Sequence, residues 1–296
     1  MNETKKSYLL AGISVFCWST VATVFKIGLR ELDFIQLIFY ASIVTVILLF
    51  FFIVIQGKAR LLYRQTAGQL LYSIFLGTLN PFSYYLVLFK AYSLLPAQIA
   101  QPLNMVWPIV LAILSVPLLG QKIGSRSFIA LFISFAGVVF ISSKGDITSF
   151  RDTNLQGVGL ALGSSLIWAL FWILNVKDKR DEIVKLFYNF FFGTIFLTLC
   201  IIFFSDFRIE IGTGFYAAVY IGIFETGISY ILWLKALQLS SNNAKTGNLI
   251  FFAPFLSLIF IRFILKETLY ITTFIGLIFI VLGIFMQQLD KKGRSS

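Results

Sequence analysis

The sequence predicts an all-α integral membrane protein in which ten transmembrane helices form two inverted five-helix repeats, with both termini in the cytoplasm. Three observations lead to this prediction. Hydrophobic residues make up 58% of the 296 residues and charged residues only 12%, whereas soluble domains contain about 45–50% and about 25%. The apolar residues fall into stretches of about 20, which is the length that crosses a bilayer as a helix. Finally, one long stretch occurs twice in the chain.

Ten apolar stretches define the predicted helices, and the first one follows Lys5 and Lys6 as the core of a signal peptide would. We interpret it as a retained helix, because its apolar run is too long for a signal peptide and no small-residue cleavage site follows. Lys and Arg favour alternate loops by about two to one, which by the positive-inside rule places both termini in the cytoplasm. The predicted spans are 8–28, 34–55, 68–89, 97–118, 125–143, 155–176, 184–204, 213–235, 244–264 and 269–288.

The stretch 85–122 recurs as 230–268. Matched Leu and Ile residues would follow from composition alone, but Lys, Pro and Gly at matched spacing would not. Because each copy holds an odd number of predicted helices, the second copy must enter the membrane from the opposite side. The copies are 8–143 and 155–288, and 144–154 is a polar linker. The matched residues, 145 or 146 positions apart, are Tyr85 with Tyr230, Lys90 with Lys235, Pro108 with Pro254 and Gly137 with Gly283.

Two segments carry a resemblance to a known family: GISVFCWSTVATVFKIG (12–28) and FILKETLYITTFIGLIFIVLGIFM (263–286). On these segments the chain resembles the EamA family of the drug/metabolite transporter superfamily, and the resemblance covers nearly the whole chain. It implies ten helices in two inverted repeats and transport of small metabolites, often amino acids or related solutes, in the direction of export. Glu267 keeps the glutamate that the family commonly has after its ninth helix, whereas Gln121 stands at the matching place in the first copy. Tyr40 stands near the position where many members carry Arg.

Glu225 is the strongest candidate for a functional residue, because apolar and small residues flank it on both sides. A carboxylate at the bilayer centre costs about 2.5–3.5 kcal/mol, so it should face a partner or a watery cavity. It could bind a substrate amine or carry a proton, and the alternative is a structural carboxylate bonded between helices. Asn80 is its counterpart in the first copy, and the adjacent Pro81 should free a backbone carbonyl at membrane depth. We expect Glu225 and Asn80 to meet near the axis that relates the copies.

Polar residues on the fourth predicted helix form a second set of candidates for substrate binding. Gln101 and Asn104 are three residues apart and therefore lie on one helix face, and Asn248 lies in the matching region of the second copy. Pro108 and Pro254 should kink their helices, and broken helices often mark a transport path. The alternative is that these polar residues hold helices together at modest strength.

Aromatic residues inside predicted helices form a third set, because a ring can stack on an organic solute or bind a cation. The alternative for each is ordinary packing or an interfacial aromatic belt. A further pattern, Gly159 with Gly163, predicts a close helix–helix contact. The aromatic candidates are Trp18, Trp168, Tyr84, Tyr188 and Trp107.

Several chemistries are excluded or disfavoured by composition. The sequence contains no His, which excludes Ser–His and Cys–His nucleophiles and His-ligated metals. We predict no catalytic residue, no metal and no cofactor. Asp178 and Asp181 form a D-x-x-D pattern of the kind that binds magnesium diphosphate, but a charged loop explains a single fragment better. The net charge of +11 follows from the positive-inside rule, so nucleic acid is not a predicted partner.

Inverted repeats are a recurrent plan of secondary transporters, with the substrate site near mid-membrane. We therefore predict a multi-pass protein of the cytoplasmic membrane that moves small organic metabolites by alternating access. Its predicted partners are the lipid bilayer and a small-molecule substrate, with protons as a candidate coupling ion. By the resemblance, amino acids or related solutes are the cargo and export is the direction. The alternatives are a uniporter or importer of nucleotide-like or sugar-like solutes and, from a different class, a membrane-embedded enzyme or a passive scaffold.

Overall fold

The computed structural model describes residues 3–119, 125–143, 154–207, 210–239, 246 and 248–292, and every regular element in these ranges is helical. The all-α prediction is confirmed for this part of the chain. Three stretches of wider π-type turn occur in these ranges: Thr78–Ser83 joins α4 to α5, Ile221–Ile228 joins α11 to α12, and Ile261–Leu265 follows α13. The helices are α1 (Glu3–Gly28), α2 (Phe34–Ile55), α3 (Ala59–Leu62), α4 (Ala67–Gly77), α5 (Tyr84–Leu94), α6 (Ala97–Asn104), α7 (Trp107–Leu119), α8 (Ser125–Ser142), α9 (Leu155–Lys177), α10 (Glu182–Phe204), α11 (Thr213–Tyr220), α12 (Ser229–Gln238), α13 (Phe252–Phe260) and α14 (Ile271–Lys292).

Within the described ranges, six helices are long and apolar enough to cross a membrane, and three shorter helices are also strongly apolar. Large apolar side chains lie exposed on their outer faces, among them Phe51, Phe132, Phe203 and Phe263. Such a surface is unfavourable in water but not in lipid, whose tails are as apolar as the side chains. The long spans are Glu3–Gly28, Phe34–Ile55, Ala67–Leu94, Leu155–Asn175, Glu182–Phe204 and Thr213–Ala236, and the shorter ones are Phe132–Ile141, Leu249–Leu265 and Ile271–Met286.

Side-chain caps fix where several helices begin. The Asp33 carboxylate accepts hydrogen bonds from two backbone N–H groups in the first turn of α2, and the Gln36 side chain accepts one from the Asp33 N–H. Thr66 and Gln69 form the same reciprocal cap at the start of α4. Asp181 caps the first turn of α10. These caps satisfy backbone donors that have no partner inside their own helix.

Several membrane helices are interrupted near prolines. Asn80 has extended backbone angles, φ −147° and ψ 121°, inside the stretch Thr78–Ser83, and Pro81 follows it. Pro108 is the second residue of α7, directly after the break that separates α7 from α6. Pro254 lies in the first turn of α13, which follows a short 3₁₀ turn. Proline is tolerated in a first turn, where its missing N–H costs nothing. α7 therefore begins beside Pro108 after a break, whereas at Pro254 the 3₁₀ turn continues directly into α13.

The helices pack in a pattern that recurs along the chain. α1 lies against α11, α12 and α13, whereas α9 lies against α4, α5, α6 and α7. α2 packs on α10, and α8 packs on α14. The last pair is so close that a Cβ built on Gly137 would lie 2.5 Å from the Gly276 carbonyl oxygen. The contact predicted at Gly159 and Gly163 is wrong, since no atom of the described residues lies within 4 Å of a Cβ built on either.

The predicted helix boundaries differ from the structure mainly at the ends. α1 begins at Glu3 rather than at residue 8, and α5 continues to Leu94 rather than ending at residue 89. Of the predicted linker 144–154, only Asn154 lies among the described residues, and its side chain caps α9 by accepting a hydrogen bond from the Gly157 N–H at 2.9 Å.

Candidate functional site

Glu225 lies in the π-type stretch Ile221–Ile228 with 8% of its surface exposed. Its Oε1 accepts a hydrogen bond from the Tyr85 hydroxyl at 3.0 Å, whereas its Oε2 has no hydrogen-bond partner among the described residues. The Trp18 indole Nε1 donates to the Glu225 backbone carbonyl at 3.3 Å. π-type turns interrupt the regular helical ladder and are frequent at functional sites. One carboxylate oxygen is therefore available to a further group.

Asn80 occupies the place that matches Glu225 in the first predicted repeat, and it is fully buried. Neither its amide nitrogen nor its amide oxygen has a hydrogen-bond partner within the described part of the chain. The Tyr230 hydroxyl lies near both Tyr85 and Asn80, yet it makes no hydrogen bond of ordinary geometry there. The matched tyrosines thus meet at the centre, where Tyr85 contacts Glu225 and Tyr230 faces Asn80.

Aromatic rings surround these polar groups. Trp168 stacks on Tyr84 with ring centroids 4.5 Å apart and meets Tyr230 edge-on at 6.0 Å. Trp172 stacks on the Tyr230 ring at 6.2 Å, and Trp18 meets that ring edge-on at 6.3 Å. Stacked and edge-to-face pairs at these distances are favourable aromatic arrangements. The central cluster consists of Trp18, Asn80, Tyr84, Tyr85, Trp168, Trp172, Glu225 and Tyr230.

The fourth-helix candidates border the central cluster through Asn104. Its Oδ1 accepts a hydrogen bond from the Tyr84 hydroxyl at 3.3 Å, and its Nδ2 donates to the Ser164 hydroxyl at 2.8 Å. Gln101 lies one turn earlier on α6 and is 4% exposed. Its Oε1 has no partner among the residues that the structure describes. Asn104 therefore already has protein partners, while Gln101 keeps an available acceptor.

Glu225 has no balancing cation among the described residues. A charge inside a bilayer is expensive, and such residues normally pair with one another or face water. The ion pairs of the described ranges lie instead around the loops at the ends of α2, α9 and α10. They are Lys58 with Asp181 at 2.7 Å, Arg180 with Asp178 at 2.6 Å and Lys185 with Glu182 at 2.7 Å. The central cluster therefore combines one unbalanced carboxyl group with several ring faces.

Other sequence-based candidates lie at the edge of the central cluster or apart from it. The Tyr188 hydroxyl donates to the Leu62 carbonyl at 2.7 Å, and its ring packs on neighbouring phenylalanines of α10. Trp107 is half-buried at the first residue of α7. The backbone of Asn248 begins a short 3₁₀ turn, but its side chain lies outside the described part of the structure.

The three prolines predicted as kink residues adjoin helix interruptions. Pro81 is buried and touches α10 so closely that a Cβ built on Gly193 would lie 2.4 Å from the proline ring. Pro254 is also buried. The side chain of Pro108, like all of Gln121, lies outside the described residues.

Three members of the central cluster are absent from the sequence-based candidates: Tyr85, Tyr230 and Trp172. Tyr85 and Tyr230 are a matched pair of the duplication, so the repeat itself was a usable signal for them. Tyrosine is also enriched at membrane–water interfaces, so only the position near Glu225 or Asn80 distinguishes these two from other tyrosines. Trp172 lies one helical turn after Trp168 on α9, and that spacing puts both rings on one face.

The D-x-x-D loop is engaged in ion pairs. Arg180 donates to both carboxylate oxygens of Asp178 at 2.6–3.0 Å, and both side chains are buried. Arg180 also donates to Gln65 at 3.1 Å and to Ser73 at 2.6 Å. Burial raises the pKa of Asp178, but the hydrogen bonds and charge of Arg180 outweigh burial and hold that pKa below its ordinary value. The loop between α9 and α10 is thereby tied to the segment around α3 and α4.

A second polar region lies around Glu267. Its carboxylate accepts hydrogen bonds from the backbone N–H groups of Ala97 at 3.0 Å and Gln98 at 3.3 Å, which caps α6. The Gln98 side chain donates to the Thr268 carbonyl at 2.8 Å. A cavity of about 440 Å³ opens beside these residues, with Lys26 in its lining. This region ties α6 to the loop between α13 and α14.

The long apolar helices and the apolar outer surface of the described residues are those of a multi-pass membrane protein. The EamA-like transporter family matches residues 5–143 and 155–287, and the chain belongs to this family. The resemblance found in the sequence is confirmed. Its members and relatives place the protein in the plasma membrane as a multi-pass protein.

Individual relatives agree with this assignment. The chain is 26% identical over 286 residues to an uncharacterized transporter of Archaeoglobus fulgidus, and the aligned region covers 95% of this chain and 96% of the relative. It is 25% identical over 156 residues to the aromatic amino acid exporter YddG of Ancylobacter novellus, covering 51% of this chain and 53% of the relative. A protein of known crystal structure shares the fold with a TM-score of 0.69 at 18% identity, over 98% of this chain and 99% of that chain.

Proposed function

We propose that this chain is a secondary transporter that exports small organic metabolites, amino acids or related solutes, by alternating access around the central cluster. The observation that carries the proposal is the Glu225 carboxyl group, buried among aromatic rings with one oxygen unpaired. An unpaired buried polar atom costs about 1–3 kcal/mol, so a purely structural carboxyl group would be expected to have both oxygens bonded. A solute or a proton that binds there in turn accounts for the unpaired oxygen.

The two predicted inverted repeats would account for the packing pattern. α1 packs on helices of the second half in the way that α9 packs on helices of the first half. The π-type stretch Thr78–Ser83 holds Asn80, and the π-type stretch Ile221–Ile228 holds the matched residue Glu225. Tyr85 approaches Glu225, and Tyr230 approaches Asn80. Interchanging the two predicted repeats turns the first of these pairs into the second. Such an arrangement supports rocking of one repeat against the other around a fixed site.

Contacts between the predicted repeats would open in turn on the two sides of the membrane. Arg180 reaches Gln65 and Ser73 of the first repeat, and Glu267 reaches Ala97 of the first repeat. α10, α11–α12 and α13 run in alternate directions between these two places, so the contacts belong to opposite membrane surfaces. With both termini in the cytoplasm, the Arg180 contacts lie on the cytoplasmic side. In the proposed cycle one set breaks while the other holds.

Protons are the proposed coupling ion. Glu225 can hold either a proton or a cationic group of the solute, and the described residues offer it no permanent cation. Binding of one would then exclude the other, which links the downhill movement of one to the uphill movement of the other.

The test uses purified protein in liposomes loaded with a mixed pool of amino acids, amines and related metabolites. Efflux is followed with and without an imposed pH gradient for the native protein, Glu225→Gln and Glu210→Gln. Glu210 is exposed, so its substitution is a matched control that removes the same charge elsewhere. We expect gradient-dependent efflux that only Glu225→Gln abolishes. The absence of any efflux would contradict transport, and efflux that ignores the gradient and both substitutions would contradict the role of Glu225.

A further inference from the structure

We infer that the solute bound at the central cluster is an organic cation, namely an amine that carries an aromatic or apolar group and no carboxylate. The inference rests on the proposed function and restricts its substrate class to the related solutes that lack a carboxylate, which excludes amino acids themselves. It follows from two properties of the central cluster, the balance of charge around Glu225 and the arrangement of ring faces.

Charge balance sets the first requirement. Glu225 Oε1 is bonded to the Tyr85 hydroxyl at 3.0 Å, and Oε2 has no partner among the described residues. The tyrosine is a neutral donor, so it does not balance the charge of Glu225 in the ionised form of that carboxyl group. No Lys or Arg of the described ranges forms an ion pair with Glu225. An ammonium group at Oε2 would neutralise the charge and form a charge-assisted hydrogen bond, the strong kind.

Ring faces set the second requirement. Trp18 and Trp168 are both partly exposed, and each meets the Tyr230 ring edge-on. The Trp18 indole also donates to the Glu225 backbone carbonyl at 3.3 Å, which places that ring beside the Glu225 backbone. Cations are attracted to the faces of Trp and Tyr within about 6 Å of the ring centroid, most strongly where water is excluded. A carboxylate beside several indole and phenol rings is therefore a site for an organic ammonium group.

A solute with its own carboxylate fits the same site less well. Its carboxylate would lie a few ångströms from Glu225 in a medium of low dielectric constant, where like charges repel strongly. Asn80 and Tyr230 offer unpaired polar atoms on the other side of the site, but these are neutral and suit a hydroxyl or amide of the solute. A helix N-terminus can bind a carboxylate, and the start of α7 at Trp107 is such a terminus. The test therefore compares solutes with and without a carboxylate directly.

The test measures binding to the purified full-length protein in detergent by isothermal titration calorimetry. The probes are phenylalanine methyl ester, phenylethyltrimethylammonium and phenylalanine. The ester differs from phenylalanine in lacking the negative charge, and the quaternary ammonium compound is a permanent cation. We expect both cations to bind at least about tenfold more tightly than phenylalanine, the ratio that corresponds to about 1.4 kcal/mol. Equal or tighter binding of phenylalanine would overturn the inference.

Variants locate the binding. Glu225→Gln should weaken binding of both cations at least about tenfold: the ester loses a charge-assisted hydrogen bond, and the quaternary compound, which has no N–H, loses the attraction of the opposite charge. Glu210→Gln should leave binding unchanged. A second pair does not alter charge: Trp168→Leu should weaken binding of the quaternary ammonium compound about threefold to thirtyfold, and Trp168→Phe should retain most of it. Elution volume and melting temperature are compared for every variant, so that a folding defect is recognised. Unchanged cation binding in both Glu225→Gln and Trp168→Leu would overturn the assignment to this site.

The inference and the proposed function fail in different ways. Liposome efflux of phenylalanine without efflux of either cation would leave the transporter proposal standing and overturn the inference. Neither flux nor binding of any solute would overturn both.

Discussion

The Tyr85 hydroxyl donates a hydrogen bond of 3.0 Å to the Glu225 carboxyl group across 140 residues of sequence. It joins α5 to the π-type stretch Ile221–Ile228, which belong to different predicted repeats. The matched residue Tyr230 makes no such bond with Asn80. The two sides of the central cluster are therefore related in position but not in chemistry, since only one side carries a carboxyl group. A single carboxyl group at this place fits the proposed binding of one cation at a time.

The Tyr85→Phe substitution removes this hydrogen bond and keeps the ring. We expect it to lower the free energy of unfolding by about 1–3 kcal/mol, because the buried carboxyl group then loses its one side-chain donor within the described residues. Thermal unfolding in detergent measures the effect. Tyr216 is 63% exposed, so Tyr216→Phe is the matched control and should leave the melting temperature unchanged. Equal melting temperatures for the two variants would count against the bond.

The central cluster could be predicted in part because a charge inside an apolar stretch is informative. Glu225 was found from that signal alone, and Asn80 followed from the duplication. Tyr188 also lies inside a predicted helix, yet its hydroxyl reaches the Leu62 carbonyl instead. Position along a helix gives depth in the membrane but not the face on which a side chain lies, and that face depends on contacts between residues far apart in sequence.

The buried pair Asp178–Arg180 should make stability depend on acid. The pKa of Asp178 is held below its ordinary value by Arg180, despite burial. The contribution of ionised Asp178 to the free energy of unfolding is therefore fully present above the unfolded-state pKa of about 3.9. It is lost as the pH falls through the lower folded-state pKa. We expect the melting temperature of the native protein to fall in this range, and that of Asp178→Asn to fall less.

At neutral pH, Asp178→Asn should itself be destabilising, approaching the roughly 3–5 kcal/mol that removal of one partner costs in a buried ion pair. The substitution leaves the Arg180 guanidinium without its charged partner. Asp206 is exposed, and Asp206→Asn is the control for loss of a carboxylate elsewhere. Equal melting temperatures of Asp178→Asn and Asp206→Asn, both at neutral pH and in acid, would show that the Asp178–Arg180 ion pair does not contribute to stability.

The contact between α8 and α14 should not accept a larger residue. A Cβ at Gly276 would lie 2.4 Å from the Gly137 carbonyl oxygen, so Gly276→Ala should cost about 1–3 kcal/mol through overpacking. Gly12 has no atom of the described residues within 4 Å of such a Cβ. Gly12→Ala should therefore be neutral or slightly stabilising in its helix. Thermal unfolding of both variants checks this, and similar behaviour of the two would refute the close packing.

Glu267 should stabilise the protein through its carboxylate oxygens, which accept hydrogen bonds from the start of α6. Glu267→Ala removes both hydrogen bonds to the start of α6 and should cost about 0.5–2 kcal/mol. Glu267→Gln keeps one acceptor oxygen and should lie between the native protein and Glu267→Ala in melting temperature. An order in which Gln is as destabilising as Ala would show that the charge, and not the cap, is what the residue supplies.

The fold was more predictable than the packing within it. Apolar stretches of membrane length predicted where helices lie, because in a bilayer the backbone must satisfy its own hydrogen bonds. The spacing of Gly159 and Gly163 led to a wrong contact, whereas Gly137 and Gly276 do form one. Small residues permit close approach, but they do not by themselves determine which helices meet.

The most direct test of the account is solute counterflow in proteoliposomes. Vesicles are loaded with unlabelled phenylethyltrimethylammonium, and uptake of the labelled compound from outside is followed for the native protein, Glu225→Gln and Glu210→Gln. The account predicts transient accumulation of label with the native protein and Glu210→Gln, and background uptake with Glu225→Gln. Accumulation by Glu225→Gln at the native rate would contradict the claim that the transported solute binds at Glu225.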